Sequence, residues 1–147
     1  MIFPGDEIMR TFYIFNINKN FYNLMKNNPY HLFKTMEDIH SFDTSDVSVA
    51  YDLFMQIVSP FDKSKINNLI FNECKNNDFY SKFHNIHRIQ NKYIPEDSCL
   101  IVSSAFLLLE SNVSKPAFLT ELNCFQNLFV CDFKNKDYFW LNELVRL

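Results

Sequence analysis

The chain has 147 residues, of which 48% are hydrophobic and 21% are charged, so a packed core is expected and a disordered chain is excluded. This length suits a single domain. The formal net charge of −3 at pH 7 disfavours nucleic acid as the main partner, because proteins that bind a phosphate backbone are usually basic. No apolar run reaches the roughly 18 residues of a membrane-spanning helix, so no membrane association is expected.

Residues 1–8 are expected to lie outside the folded domain. They lack the positive start and apolar stretch of a secretory signal, so we expect a cytoplasmic protein with free thiols. Gly5-Asp6-Glu7 can be encoded by bases that resemble a bacterial ribosome-binding site, and a second methionine, Met9, follows. We therefore interpret residues 1–8 as an untranslated leader or a disordered segment, and residues 9–147 as one domain.

The first half of the chain reads as one strand followed by helices. Asn18 is a suitable N-cap, Pro29 suits the first turn of a helix, and Asp62 can cap another. The predicted elements are a strand at 11–17 and helices at 19–27, 29–41, 47–59 and 63–77.

The second half is predicted to contain one more long helix and then strands. Phe79, Phe83 and Ile86 recur at helical spacing, which predicts a helix at 78–93, and residues 95–97 predict a turn. The remaining predictions are a strand pair or one long bent strand at 98–111, a helix at 116–126, and strands at 128–133 and 137–141. This order indicates an α+β fold: a mainly antiparallel sheet of about five strands packed with five to six helices.

The domain that begins at Met9 contains no glycine, which excludes several catalytic loops. The Walker A loop, the GxGxxG dinucleotide turn and the GxSxG elbow all require glycine. Turns with positive φ are then expected mainly at asparagine, which tolerates the left-handed region better than most residues.

His84 and His87 are the main candidates for catalysis or metal binding. In the predicted helix at 78–93 they would share one face, which could hold a metal or let His87 act as the base for a cysteine nucleophile. No HExxH motif or CxxC spacing is present, and nothing locates an oxyanion hole. We therefore expect surface or half-buried histidines on a helix, with no cofactor, no metal and no catalysis.

The short predicted helix at 19–27 places Phe21 and Met25 four residues apart, on one face. A helix this short cannot bury both of its faces in a small domain. An exposed aromatic residue beside a methionine is typical of a protein-binding anchor. Alternatively, Phe21 and Met25 face the core while Tyr22 covers the edge, and spacing alone leaves both interpretations open.

The C-terminal stretch LFVCDFKNKDYFWLNEL resembles the ending of the sporulation inhibitor of replication family, SirA. In that family an F-x-x-F-D-F strand leads through a short polar turn with lysine to Y-G-W-L-N-P. The matching residues are Asp132, Phe133, Lys136, Tyr138, Trp140, Leu141 and Asn142. The stretches RTFYIFNINKNFYNLM and YDLFMQIVSPF are similar to the family's first strand and helix and to its helix that ends in a proline. Phe139, Glu143 and Met25 depart from the family's glycine, proline and tyrosine.

The resemblance implies a monomeric, non-enzymatic inhibitor that binds the N-terminal domain of the bacterial replication initiator DnaA around sporulation. It also implies the contact residues, which are Phe21 and Met25 on the first helix and Leu53 and Gln56 on the third. Two alternatives remain open: a small inhibitor of another host protein, or an enzyme that depends on histidine or cysteine.

Overall fold

The computed structural model describes residues 9–41 and 47–144, which form seven strands and six helices. The strands are β1 Arg10–Asn16, β2 Tyr80–Phe83, β3 Ile86–Asn91, β4 Glu96–Val102, β5 Leu107–Ser111, β6 Leu128–Asp132 and β7 Asp137–Trp140. The helices are α1 Lys19–Met25, α2 Pro29–His40, α3 Val47–Ile57, α4 Lys63–Cys74, α5 Ala117–Glu121 and α6 Leu141–Leu144.

All seven strands join one antiparallel sheet in the order β2-β3-β4-β5-β1-β6-β7. The N-terminal strand β1 lies inside this sheet, where Tyr13 is paired with Leu108 of β5 and Cys131 of β6. It therefore joins the β2–β5 meander to the C-terminal hairpin. The α+β class and the mainly antiparallel sheet are confirmed, but the sheet has seven strands rather than five.

Side chains of β1 alternate between two separate cores, one on each face of the sheet. Phe12 and Ile14 belong to the first core, whereas Phe15 belongs to the second, as does Ile17 directly after the strand. This alternation is the period of two that a strand imposes on its side chains. Burial on both faces explains why β1 is almost continuously apolar in sequence.

Helices cover both faces of the sheet, and each face has its own set. The first face is covered by α4 and α5, and the second by α2 and α3, with α1 at its edge. The buried residues that α4 and α5 contribute to the first core are Ile66, Ile70, Cys74, Phe118 and Leu119. Those of the second core are Leu32, Phe33, Met36 and Ile57.

The predicted helix at 78–93 is wrong, because this segment forms the β2–β3 hairpin. Its apolar residues at helical spacing also fit a strand pair in which Phe83 lies opposite Ile86. In β3 the buried residues are His87 and Ile89, two apart, while their neighbours are exposed. The alternation of buried and exposed positions that is typical of a strand was therefore present. It was harder to recognise in the sequence than the helical spacing, because one of the two buried positions holds a polar residue, His87.

Several smaller boundaries also differ from the sequence-based expectations. Glu96 begins β4 instead of belonging to a turn. Of the two alternatives for 98–111, the strand pair is confirmed, because this stretch holds parts of β4 and β5. The last predicted long helix is reduced to α5, and Leu141 starts α6 instead of ending β7. Confirmed features include the side-chain caps at Asn18 and Asp62.

Within the described residues, no helix is long and apolar enough to cross a membrane. The interpretation of residues 1–8 as a leader or disordered segment lies outside the described residues, so it stays a prediction.

Candidate protein-binding surface

Asn18 fixes the start of α1 against the end of α3. Its side-chain oxygen accepts a hydrogen bond from the Phe21 backbone N–H at 2.8 Å, which is the usual geometry of an N-cap. Its side-chain amide donates to the Gln56 carbonyl, and its backbone N–H donates to the Ile57 carbonyl at 2.9 Å. A single residue thus holds together the two helices that carry the predicted contact residues.

Helix α1 lies on the edge of the second core without fully burying any side chain. Phe21, Tyr22 and Met25 are all half-buried against that core. Tyr22 points inward, with its ring edge-on to Trp140 at a centroid distance of 4.8 Å. Phe21 and Met25 therefore combine both interpretations left open by the sequence: each packs on the core and each keeps part of its surface exposed.

On α3, Leu53 is half-buried against the same second core and Gln56 is exposed. Their spacing of three residues places them on one flank of the helix. The fully inward positions of α3 include Ile57, which is buried. The structure thus places all four predicted contact residues on two helices whose ends are joined by Asn18.

Leu24 is an apolar residue of this region that the sequence reasoning did not select. Its side chain is 71% exposed, the highest value among the large hydrophobic residues whose burial is described on the three helices of this face. Leu24 follows Phe21 by three residues, so the two are neighbours on the surface of α1. We define the α1–α3 surface by its five members: Phe21, Leu24, Met25, Leu53 and Gln56.

The α1–α3 surface contains no charged side chain among its five members. Apolar burial rather than ion pairing is therefore the interaction it can offer. An aromatic residue surrounded by leucine and methionine has the composition of protein-binding patches, in which methionine adapts to the partner's shape.

The two histidines do not form a site. His84 occupies the exposed turn between β2 and β3, whereas His87 is fully buried beneath the first face. Both His87 ring nitrogens are occupied, Nδ1 by the Tyr80 hydroxyl at 2.7 Å and Nε2 by Asn67 Oδ1 at 2.7 Å. The expected arrangement of surface or half-buried histidines on one helical face is therefore wrong.

The His87 contacts also define its protonation state. Asn67 Oδ1 can only accept, so Nε2 carries a proton and donates, while Nδ1 accepts from the Tyr80 hydroxyl. Burial, with Lys82 as a second cause, lowers the pKa of His87 to about 4. His87 is thus a neutral structural residue near pH 7, and its lone pair is already engaged.

The cysteines are free and several are held in the thiol form. Burial raises the pKa of Cys74 to about 11 and raises that of Cys131 well above its usual value. A thiolate is the nucleophile and metal ligand, so these positions are unreactive near pH 7. Among the described residues, no group of three or more His, Cys, Asp or Glu side chains is placed to hold a metal ion.

A family model described as "Sporulation inhibitor of replication protein SirA" matches residues 10–145. The chain belongs to the SirA family. The match includes both α1 and α3 as well as the C-terminal hairpin that carries the sequence resemblance. No curated protein matches the chain. SirA is a family of regulatory inhibitors of replication linked to sporulation rather than a family of known enzymes.

Proposed function

We propose that this SirA-family protein binds the N-terminal domain of DnaA through the α1–α3 surface and so inhibits replication initiation around sporulation, without catalysis. Membership of the SirA family supports a role in the inhibition of replication around sporulation. The observation that carries the binding site is the half-exposed position of Phe21 and Met25 on a helix that buries no residue fully. The protein acts as a monomer in the cytoplasm and makes no direct contact with nucleic acid.

The α1–α3 surface is suited to recognition because it is held in place before a partner arrives. Asn18 fixes α1 against α3, and the Tyr22 ring packs edge-on to the buried Trp140. A preorganised surface loses less conformational entropy on binding, so more of the contact energy contributes to affinity. Phe21 serves as the central anchor, and Leu24 and Met25 exclude water around it.

Inhibition then follows from occupancy. The N-terminal domain of DnaA is an interaction domain, so a protein seated on one of its faces prevents assembly at the origin. In this mechanism one inhibitor molecule blocks one initiator molecule. The extent of inhibition therefore depends on the ratio of the free inhibitor concentration to the Kd of the complex.

The test is calorimetric titration of the full chain into the isolated N-terminal domain of DnaA from the same organism. Wild-type protein should bind with 1:1 stoichiometry at micromolar or lower Kd. Phe21→Ala should weaken binding by roughly 2 kcal/mol or more, about 30-fold, because it removes a central aromatic anchor. Its melting temperature should fall only modestly, because Phe21 is half-buried rather than enclosed.

Phe83→Ala is the matched control, since it makes the same substitution at a side chain that is 70% exposed on the β2–β3 hairpin. It should bind like the wild type. Unchanged affinity for Phe21→Ala together with a large loss of stability would assign Phe21 to the core instead. No binding by the wild type would mean that the partner is another host protein, and capture from a lysate with the Phe21→Ala variant as reference would then identify it.

A further inference from the structure

A second feature of the helical layer is an apolar cavity of about 310 Å³ between α2, α3 and the sheet. Its lining residues are Tyr13, Phe15, Met36, Ile39, His40, Phe54, Ala105 and Phe106. The cavity opens to solvent, because His40 and Ala105 in its lining are exposed. Phe54 lines the cavity while the adjacent Leu53 belongs to the α1–α3 surface, so the cavity is a separate site on the other flank of α3.

The walls of the cavity are aromatic and held by their neighbours. The Tyr13 ring lies 5.4 Å from the Phe106 ring and 5.0 Å from the His40 ring between centroids. The Phe15 ring is edge-on to that of Phe54 at 5.9 Å. Aromatic rings braced by such contacts form a preshaped space, and a flat apolar molecule can stack against them without reorganising the protein.

The polarity of the lining limits what could bind. None of the lining residues is Lys, Arg, Asp or Glu, so a charged ligand would lose its hydration without gaining an ionic partner. Neither the Tyr13 hydroxyl nor the ring nitrogens of the exposed His40 make a hydrogen bond within the described part of the chain. They can therefore orient one polar group of a neutral ligand, which is the usual pattern of small-molecule pockets.

The volume limits the size of the ligand. An apolar cavity of about 150 Å³ is large enough for benzene. A cavity of 310 Å³ therefore accommodates about two fused rings. We propose that the α2–α3 cavity binds a neutral, flat aromatic small molecule of this size that carries one hydroxyl or N–H group. This inference does not depend on the proposed DnaA interaction, because neither its site nor its test involves the partner.

The test uses 2-naphthol as the probe, since it is neutral near pH 7, has two fused rings and one hydroxyl, and is fluorescent. Titration of the full chain should give saturable 1:1 binding, with a shift in probe emission and a rise in melting temperature. Ala105→Phe should weaken binding at least roughly tenfold, because the new ring fills the cavity from an exposed turn position that tolerates a larger side chain.

Ser104→Phe is the matched control, because Ser104 is the neighbouring exposed residue and does not line the cavity. It should bind the probe like the wild type. Ala105→Leu, which fills less of the space, should give an intermediate loss. Binding that fails to saturate, or that is equally strong in wild type and Ala105→Phe, would overturn the proposal by showing that the probe adheres elsewhere on the surface.

Discussion

Among the described residues of a domain that lacks glycine, two hold left-handed backbone. His84 has φ 54° in the turn between β2 and β3, and Lys136 has φ 56° in the turn between β6 and β7. The expectation that asparagine would take such positions is wrong for these two turns within the described residues. The reason is that strand register, which pairs Phe83 with Ile86, decides which residue falls on the turn. A side chain with a Cβ atom in this region costs about 1–2 kcal/mol.

His84→Gly should therefore raise the free energy of unfolding by about 1 kcal/mol, because glycine removes the Cβ clash while increasing the entropy of the unfolded chain. Urea denaturation measures the change. Lys136→Gly is the comparison: it relieves the same backbone strain but also removes the ion pair between Lys136 and Glu37, so its gain should be smaller. A loss of stability in His84→Gly would mean that the exposed imidazole makes a stabilising contact with Phe83, whose ring lies 4.4 Å away.

At the scale of elements, an ion pair joins the start of β1 to the C-terminal hairpin. Arg10 Nε donates to the buried Asp132 carboxylate at 2.9 Å, and its guanidinium also reaches Asp137 at 2.9 Å. Burial acts to raise the pKa of Asp132, but hydrogen bonds from Asn135 and Arg10 outweigh it, so the pKa is lowered below 3.8. The aspartate that the sequence resemblance singled out is thus a structural residue of the hairpin.

Asp132→Asn should lower the free energy of unfolding at pH 7 by about 3 kcal/mol, because it leaves Arg10 without its buried partner. The stabilisation from a carboxylate with a lowered pKa is present above pH 3.8 and is lost as pH falls through the folded-state pKa. Urea midpoints of the two proteins, measured from pH 7 downward, should therefore converge below pH 3.8. An equal difference at all pH values would contradict the ionic origin of the effect.

A second connection links the β2–β3 hairpin to α4 through the buried His87 and three half-buried polar residues. The Tyr80 hydroxyl, the His87 ring and the Asn67 amide form a continuous chain of hydrogen bonds, and Asn67 also donates to Asn85 at 2.9 Å. Because the buried His87 ring must be paired, its partners Tyr80 and Asn67 specify how the hairpin docks on α4. Hydrogen bonds between polar side chains leave no periodic pattern of apolar residues in the sequence. This is one reason why the hairpin was predicted as a helix.

Protonation of His87 should weaken this connection in acid. Its folded-state pKa is about 4, below the ordinary value of 6.5, so the unfolded chain takes up the proton first. The contribution of His87 to stability is present above pH 6.5 and is lost as pH falls from 6.5 to about 4. An NMR titration of the His87 ring protons should give a midpoint near 4. A midpoint near 6.5 would contradict the buried, doubly hydrogen-bonded position.

At the scale of the molecule, the sequence predicted the architecture and the helical half well. The caps at Asn18 and Asp62 and the proline at the start of α2 mark helix ends by local chemistry, so they are readable without tertiary information. The number of strands was underestimated because the β2–β3 hairpin was predicted as a helix, since one of the two buried positions of β3 holds the polar residue His87. The contact residues came from family resemblance, whereas Leu24 could have been found from its spacing to Phe21 alone.

The sheet also has one face that its helices cover only in part. Residues of the second core come from β1, β6 and β7, whereas Phe83 and Ile86 at the opposite end of the sheet are exposed. The molecule therefore divides into a half whose sheet has a core on both faces, which carries the α1–α3 surface and the α2–α3 cavity, and a thinner end formed by the β2–β3 hairpin. The Phe83→Ala control belongs to the thinner end and is independent of the sites for that reason.

The position of Trp140 gives this fold an optical property. It is the only tryptophan in the chain, it is buried, and the Tyr22 ring of α1 lies edge-on to it. Its indole N–H has no hydrogen-bond partner among the residues that the structure describes. An indole in such dry surroundings emits at short wavelength, and its emission depends on whether α1 stays docked. The protein thus contains its own fluorophore directly beneath the helix that is proposed to meet the partner, and movements of that helix can be followed in real time without attaching a label.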